Sequence, residues 1–240
     1  MKIKRWVRCL LSMVFLLMVF SPVAYGDLYW ESVEVRGGEP KGMPEGFPKD
    51  IPKPPQQPDI GHSEKNGPET IKNYLTSYGS RIDTQDDITI VIFEDLTIYQ
   101  LDPSTKTYIK INLAEMEKSM GPMAKKMAED AKVTATDETK IIKGFKCKKY
   151  IMTVMGVENV QWLSKDVTGY DEYEKISSKI MKDSPQFERM GLSGNLVGKG
   201  FPVKMESDMM GKIEKTNLSK DLFTVPEGYV QKPLNIPIHR

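Results

Sequence analysis

Short stretches of alternating apolar and polar residues recur along most of the chain, and this two-residue period is typical of β-strands with one buried face. Residues 88–93 are apolar on both faces, so this strand is expected to be central in a sheet and covered on both sides. A turn at Met209–Gly211 is expected to join the last two strands. The predicted strands cover residues 28–35, 70–78, 80–82, 88–93, 96–101, 107–111, 203–208 and 212–218.

Two further long strands are predicted within Thr139–Lys165, on either side of a glycine-containing turn at Met155–Val157. The strand period places Tyr150 and Met152 on one face of the first strand, and Trp162 projects from one face of the second. We predict that these three residues form the sheet side of a binding site.

Helices are predicted between the strands. Asn112 suits the N-cap of a helix over Leu113–Lys118, and Pro122 suits the first turn of another helix that ends near residue 131. A third helix is predicted over residues 170–181. About ten strands and two or three helices indicate an α+β fold dominated by an antiparallel sheet.

Four methionines in the first two predicted helices follow one another at steps of four, three and four residues, so they share one helical face. This face either packs permanently against the sheet or lines a cavity for a flexible apolar ligand, because methionine repacks easily. A copper(I) site is a weaker alternative, since such sites use closely spaced methionines in mobile loops. The four residues are Met116, Met120, Met123 and Met127.

The N-terminal residues have the pattern of a secretion signal. Four of the first eight residues are basic, and the apolar run Cys9–Phe20 that follows is too short to span a bilayer as a helix. Small residues at Ala24 and Gly26 suit a signal peptidase, so residues 1–26 are predicted to be removed. The mature chain, residues 27–240, is then expected to be one domain, periplasmic or secreted, without a stable membrane anchor.

A proline-rich insertion over residues 37–68 follows the first predicted strand and contains eight of the sixteen prolines. Proline disfavours helix and donates no backbone hydrogen bond, so this segment is predicted to be extended or irregular. It is interpreted as a flexible insertion. The alternative is an arm that docks on an envelope protein through Met43, Phe47 and Ile51.

The chain contains few groups that carry chemistry. Its two histidines, His62 and His239, have no metal ligand three or four residues further along the chain, and Cys147 is expected to be a small buried residue. We therefore predict no enzymatic activity, no metal and no cofactor. Removal of residues 1–26 takes away four positive charges and no acid, so the formal charge falls from +1 to −3. That balance disfavours broad binding to nucleic acid or to an anionic membrane.

Four motifs resemble an uncharacterised family of secreted bacterial proteins, the domain-of-unknown-function family numbered 4412. These motifs occur in the family's order: Gly144–Tyr150, Trp162–Asp166, Gly200–Lys204 and Phe223–Tyr229. The family looks related to periplasmic lipoprotein carriers of the LolA, LolB and LppX type. The resemblance implies a curved antiparallel sheet, an open half-barrel, with two or three helices packed in its concave face.

These observations favour a non-enzymatic periplasmic carrier or sensor. Its ligand would be a lipid, or the acyl chain of a lipidated protein, held between the methionine face and the sheet. The alternative is an envelope interaction protein that works through the proline-rich insertion.

Overall fold

The structure is a computed structural model that describes residues 26–34, 68–120, 129–154, 156–184, 196–205 and 208–234; within these, the side chains of residues 119 and 120 are not described. Twelve strands in these ranges form a single sheet. The first six are β1 Asp27–Glu34, β2 Thr70–Leu75, β3 Gly79–Asp83, β4 Ile88–Ile92, β5 Thr97–Asp102 and β6 Thr107–Asn112. The others are β7 Lys132–Ile142, β8 Phe145–Val154, β9 Val157–Ser164, β10 Phe201–Lys204, β11 Asp208–Thr216 and β12 Val230–Lys232.

The strands are arranged as two antiparallel meanders joined at the middle of the sheet. Strands β1 to β6 are neighbours in chain order, as are β7 to β11, and β11 pairs with β1. The short β12 pairs in parallel with β6 and was not predicted, because its three residues are all exposed and show no apolar period. The result is a large, curved, unclosed sheet with β12 and β7 at its edges, which confirms the predicted dominance of antiparallel pairing.

Strand β4 has both faces covered, as its apolar sequence predicts. Ile90 is fully buried with Leu101 and Phe223, and Val91 packs against a different apolar cluster. Phe223 belongs to a 3-10 helix, Lys220–Phe223, in the segment that crosses this face before it becomes β12. The C-terminal segment therefore closes one face of the first meander.

The two α-helices whose bounds lie within the described residues begin close to the predicted positions. Helix α1, Leu113–Met120, has Asn112 as its N-cap, and the Asn112 side chain accepts a hydrogen bond of 3.1 Å from the Glu115 amide. Helix α2 is Tyr170–Asp183. The helix predicted from Pro122 to near residue 131 lies mainly outside the described ranges, which resume at residue 129.

Helix α2 packs on the sheet through one apolar side. Ile176 and Ile180 are buried in one cluster with Leu28 of β1 and Leu75 of β2. Its C-terminal end is held by Ser184, whose hydroxyl donates to the Phe93 carbonyl at 3.2 Å. We call the face of the sheet that carries α2 the helix face.

The predicted turn at Met209–Gly211 is wrong, because these residues belong to β11. Met210 pairs with Ser32 of β1, and the register shifts between Trp30 and Ser32, where Gly211 and Lys212 oppose the single residue Glu31. Glycine inside a strand often marks such a bulge, and cross-strand pairing extends the strand through it. The chain reverses before β11, where the Met205 amide donates to the Asp208 carbonyl at 2.8 Å.

Candidate functional site

The methionine face is only partly within the described residues. Met116 of α1 is partly buried against the cluster that contains Leu28 and Ile176. Met120 ends α1, but its side chain is outside the description, as are Met123 and Met127. The prediction that these four residues share a ligand-binding face stays a prediction.

The three predicted residues of the sheet do not share a face. Tyr150 pairs with Gln161 of β9, whereas Trp162 pairs with Lys149. Because directly opposed residues of an antiparallel pair project to the same side and neighbours alternate, Trp162 lies on the opposite face from Tyr150 and Met152. The prediction of one common wall is therefore wrong. The sequence showed which residues alternate along each strand, and the register between the strands decided which of them meet.

The space between α2 and the sheet is filled by the protein's own aromatic side chains. The Phe201 ring contacts the Trp30 ring edge-on at 5.4 Å between centroids, and it contacts the Tyr173 ring of α2 at 5.0 Å. Phe201 is fully buried, and Trp162 and Cys147 belong to the same cluster. This part of the helix face is packed core, because the Phe201 ring contacts an aromatic ring on each side.

An apolar cavity of about 170 Å³ lies beside this core, at the end of the helix face where β1 meets β2 and β11. Trp30 separates it from Phe201 and forms one of its walls. Ile82 is 39% exposed, which makes it the accessible edge of the cavity. The other lining residues are Ser32, Ile71, Asn73, Thr84, Pro202, Met205, Asp208 and Met210. We call this site the Trp30 cavity.

Cross-strand pairing explains why these side chains meet. Trp30 is opposite Asn73 and Ser32 is opposite Ile71, while Asn73 is also opposite Ile82 of β3. All of them therefore project from the helix face, beyond the part that α2 covers. The arrangement combines an aromatic wall with aliphatic and thioether side chains, which suits an apolar group.

Two buried polar side chains lie within this apolar lining. The Asn73 amide nitrogen donates to the Ser32 hydroxyl at 3.3 Å and to the backbone carbonyls of Trp30 and Ile71 at 3.5 and 3.4 Å. Both side chains are less than one-tenth exposed. Because these hydrogen bonds satisfy the Asn73 amide nitrogen within the protein, its two N–H groups need no partner from an apolar ligand.

The proline-rich insertion leaves and re-enters the sheet next to the Trp30 cavity. Strand β1 ends at Glu34, whose amide donates to the Glu69 carbonyl at 2.9 Å, just before β2. The predicted partner-binding residues Met43, Phe47 and Ile51 lie outside the described residues. The interaction hypothesis for this segment stays a prediction.

Cys147 is fully buried, as predicted, and burial raises the pKa of its thiol. A raised pKa reduces the thiolate fraction at neutral pH and so its reactivity. Within the described ranges, no three His, Cys, Asp or Glu residues cluster to hold a metal ion. No helix in the part of the chain that the structure describes is long and apolar enough to cross a membrane.

Sequence reasoning did not select the Trp30 cavity, although part of its signal is visible in the sequence. Ser32 and Asn73 occupy inward positions beside apolar ones, Leu28 and Trp30 in β1 and Ile71 and Leu75 in β2. A polar residue at such a position indicates a satisfied buried group or the edge of a site. The contribution of β10 and β11 has no signal in the sequence, because it depends on the long-range pairing of β11 with β1.

Comparison with known proteins identifies one family. Residues 59–229 match the family described as "Domain of unknown function (DUF4412)". No curated protein matches the chain. The chain is similar to two solved structures of PNGF-II, in the C2 and P21 space groups, each at 11% identity, with TM-scores of 0.41 and 0.42. The matches cover 87% of this chain but 31% and 32% of those chains, so it spans about a third of their length.

Proposed function

Because the chain belongs to the domain-of-unknown-function family DUF4412, which assigns no activity, we propose a function from geometry: non-enzymatic binding of an apolar ligand in the Trp30 cavity. The ligand class is a lipid or the acyl chain of a lipidated protein. The cavity is the observation that supports the proposal, since it is apolar, walled by Trp30 and open at Ile82. The predicted export signal favours a periplasmic or secreted location.

The proposal includes a fold like that of the LolA-type carriers, an open half-barrel with helices in its concave face. The unclosed sheet and the packing of Ile176 and Ile180 on the helix face support it. The ligand site differs from the one implied by those carriers. It lies beside α2 rather than beneath it, because Phe201 and Tyr173 fill the space under the helix.

The volume limits what the cavity can accept. About 170 Å³ is below the range of roughly 300–1,000 Å³ that is typical of sites for drug-sized ligands. The cavity therefore accepts the end of an acyl chain, and a whole lipid requires side chains to repack. Met205 and Met210 line the cavity and can supply this repacking, because methionine has three rotatable bonds.

Tryptophan quenching tests the position of the ligand directly. In the exported form without residues 1–26, Trp30 and Trp162 are the only tryptophans. A fatty acid brominated near its methyl end quenches a tryptophan that it contacts. We expect quenching in the Trp162→Phe variant, which retains Trp30, and none in the Trp30→Phe variant. Quenching of Trp162 alone would place the ligand elsewhere, and no quenching in either variant would refute apolar binding.

A charge at the edge of the cavity provides a second test. Ile82→Asp places a carboxylate where the acyl chain enters, so we expect at least about a tenfold loss of affinity from the cost of desolvating it. Val157→Asp is the matched control, since Val157 is 49% exposed at the start of β9, away from the cavity. Equal affinities of the two variants would contradict the proposed site.

A further inference from the structure

The β7–β8 hairpin concentrates positive charge on a protein that is otherwise mildly acidic. Residues 139–149 contain five lysines and no acidic residue, whereas residues 27–240 have a formal charge of −3 after the four charges of residues 1–26 are removed from the total of +1. The hairpin lies at an edge of the sheet, because β7 pairs only with β8 among the described strands. The charge is therefore local and accessible.

The register divides the five lysines between the two faces. Lys140 lies on the helix face, where its ammonium is 4.0 Å from the centroid of the Trp162 ring. Lys149 is on the same side and forms an ion pair of 2.7 Å with Glu138. The ammonium groups of these two lysines therefore interact with other side chains of the protein.

The other three lysines surround an exposed isoleucine. Ile141 pairs directly with Lys146, and Lys148 follows Lys146 on the same face, opposite α2. Lys143 is in the two-residue turn between the strands, where it and Gly144 both have positive φ, of 49° and 85°. None of the three lysines forms an ion pair with any residue in the described ranges. We call Ile141, Lys143, Lys146 and Lys148 the hairpin patch.

Ile141 distinguishes this patch from an ordinary solvated group of charges. Its side chain is 68% exposed, the highest value among the exposed large apolar residues of the described chain. The neighbouring Ile142 projects to the helix face and is 9% exposed, so the hairpin buries one isoleucine and presents the other. An apolar side chain ringed by lysines suits a surface whose anionic groups overlie an apolar interior.

We propose that the hairpin patch docks the protein on a membrane surface that contains anionic phospholipid. Lys143, Lys146 and Lys148 bind the phosphate-containing head groups, and Ile141 enters the boundary between head groups and acyl chains. A nucleic acid would satisfy the lysines through its phosphates and leave Ile141 in water. This inference uses residues outside the Trp30 cavity and stands or falls independently of it.

Vesicle co-sedimentation tests the proposal. We compare vesicles of pure phosphatidylcholine with vesicles that also contain phosphatidylglycerol. We expect binding to the anionic vesicles alone, and we expect it to fall with added NaCl, because salt screens exposed charges. Absence of binding to phosphatidylglycerol vesicles, or equal binding to both vesicle types, would overturn the proposal.

Charge reversal identifies the surface involved. Each lysine near an anionic surface contributes about fivefold to partitioning, so Lys143→Glu with Lys146→Glu should weaken it by at least about 25-fold. The matched control is Lys106→Glu with Lys110→Glu in the β5–β6 hairpin, where Lys106 also has a positive φ, of 50°. The control variant should bind like the unmodified protein. Equal losses in the two double variants would assign binding to overall charge and refute the patch.

Replacement of the isoleucine separates docking on a membrane from attraction to any polyanion. Ile141→Ser should weaken binding to anionic vesicles while leaving the steepness of its salt dependence unchanged, because no charge is altered. It should not change binding to soluble polyglutamate. If Ile141→Ser binds vesicles as tightly as the unmodified protein, or if polyglutamate binds and the vesicles do not, the membrane surface is the wrong partner.

Discussion

The packing of α2 on the sheet can be tested by removing one buried side chain. Ile176 is fully buried in a cluster with Leu28, Leu75, Phe93 and Ile180. If α2 is a permanent part of the core, Ile176→Ala removes three carbon atoms from a packed site and leaves a cavity that neighbours fill only in part. Substitutions of this kind cost about 2–5 kcal/mol in the free energy of unfolding, and full burial places the expected value near 3 kcal/mol.

Urea denaturation followed by circular dichroism measures this cost. The free energy of unfolding of a domain of this kind falls by about 2 kcal/mol for each 1 M of urea, so a loss of about 3 kcal/mol lowers the urea midpoint by about 1.5 M. Ile176→Val should lower it by roughly a third as much. The control Ile141→Ala, at a position that is 68% exposed, should change the free energy of unfolding by less than about 0.5 kcal/mol.

A small effect would refute the description of α2 as packed core. If Ile176→Ala shifts the midpoint by less than about 0.3 M at an unchanged slope, the helix covers a space that its side chains do not fill. The ligand site would then return to the region beneath α2. A weaker dependence of the free energy of unfolding on urea concentration would instead indicate that α2 unfolds separately from the sheet.

Two further predictions concern the backbone and pH. Gly200→Ala should lower the free energy of unfolding by at least about 2 kcal/mol, since a Cβ there would lie 2.9 Å from the Ser164 backbone nitrogen and φ is 144°. The control Gly156→Ala should lower it by less in the same urea assay, because Gly156 has a positive φ but nothing within 4 Å of the added Cβ. Equal losses in the two variants would contradict the steric account. The Ser104 and Thr105 hydroxyls lower the pKa of Asp102 to about 2. This carboxylate therefore stabilises the fold above its unfolded pKa of about 3.9, and the contribution is lost as pH falls toward 2. Asp102→Asn should lower the free energy of unfolding at pH 7 by no more than about 1 kcal/mol. Most of this difference should be lost by pH 2, where the folded-state carboxyl is about half protonated. A difference at pH 2 as large as the one at pH 7 would contradict this assignment.

Much of the local structure could be predicted from the sequence because local chemistry determines it. Asn112 caps α1 as expected, since its side chain reaches an amide only three residues away. The apolar residues of β4 indicated that both of its faces are covered. The sequence did not show that Phe223 is what covers one of them, because that contact joins residues more than a hundred positions apart.

The candidate site was predicted less well for the same reason. The strand period showed which residues share a face within one strand, so it placed Tyr150 and Met152 on one face of their strand and Trp162 on one face of the next. It could not align β8 with β9, and a shift of one residue exchanges the faces. The register determined that Trp162 faces α2 and that Tyr150 and Met152 do not.

By itself, the sequence determined where most of the chain alternates and where its charge is concentrated, since each depends on neighbouring residues. The lysines of residues 139–149 are of this kind. The sequence did not determine every turn, because pairing with β1 extends β11 through Met209–Gly211. Only the tertiary structure decided that β11 pairs with β1, that Trp30 and Met210 line one cavity, and that Ile141 remains exposed beside Lys146. These arrangements depend on pairing between distant strands, whose register is set by the packing of the whole sheet.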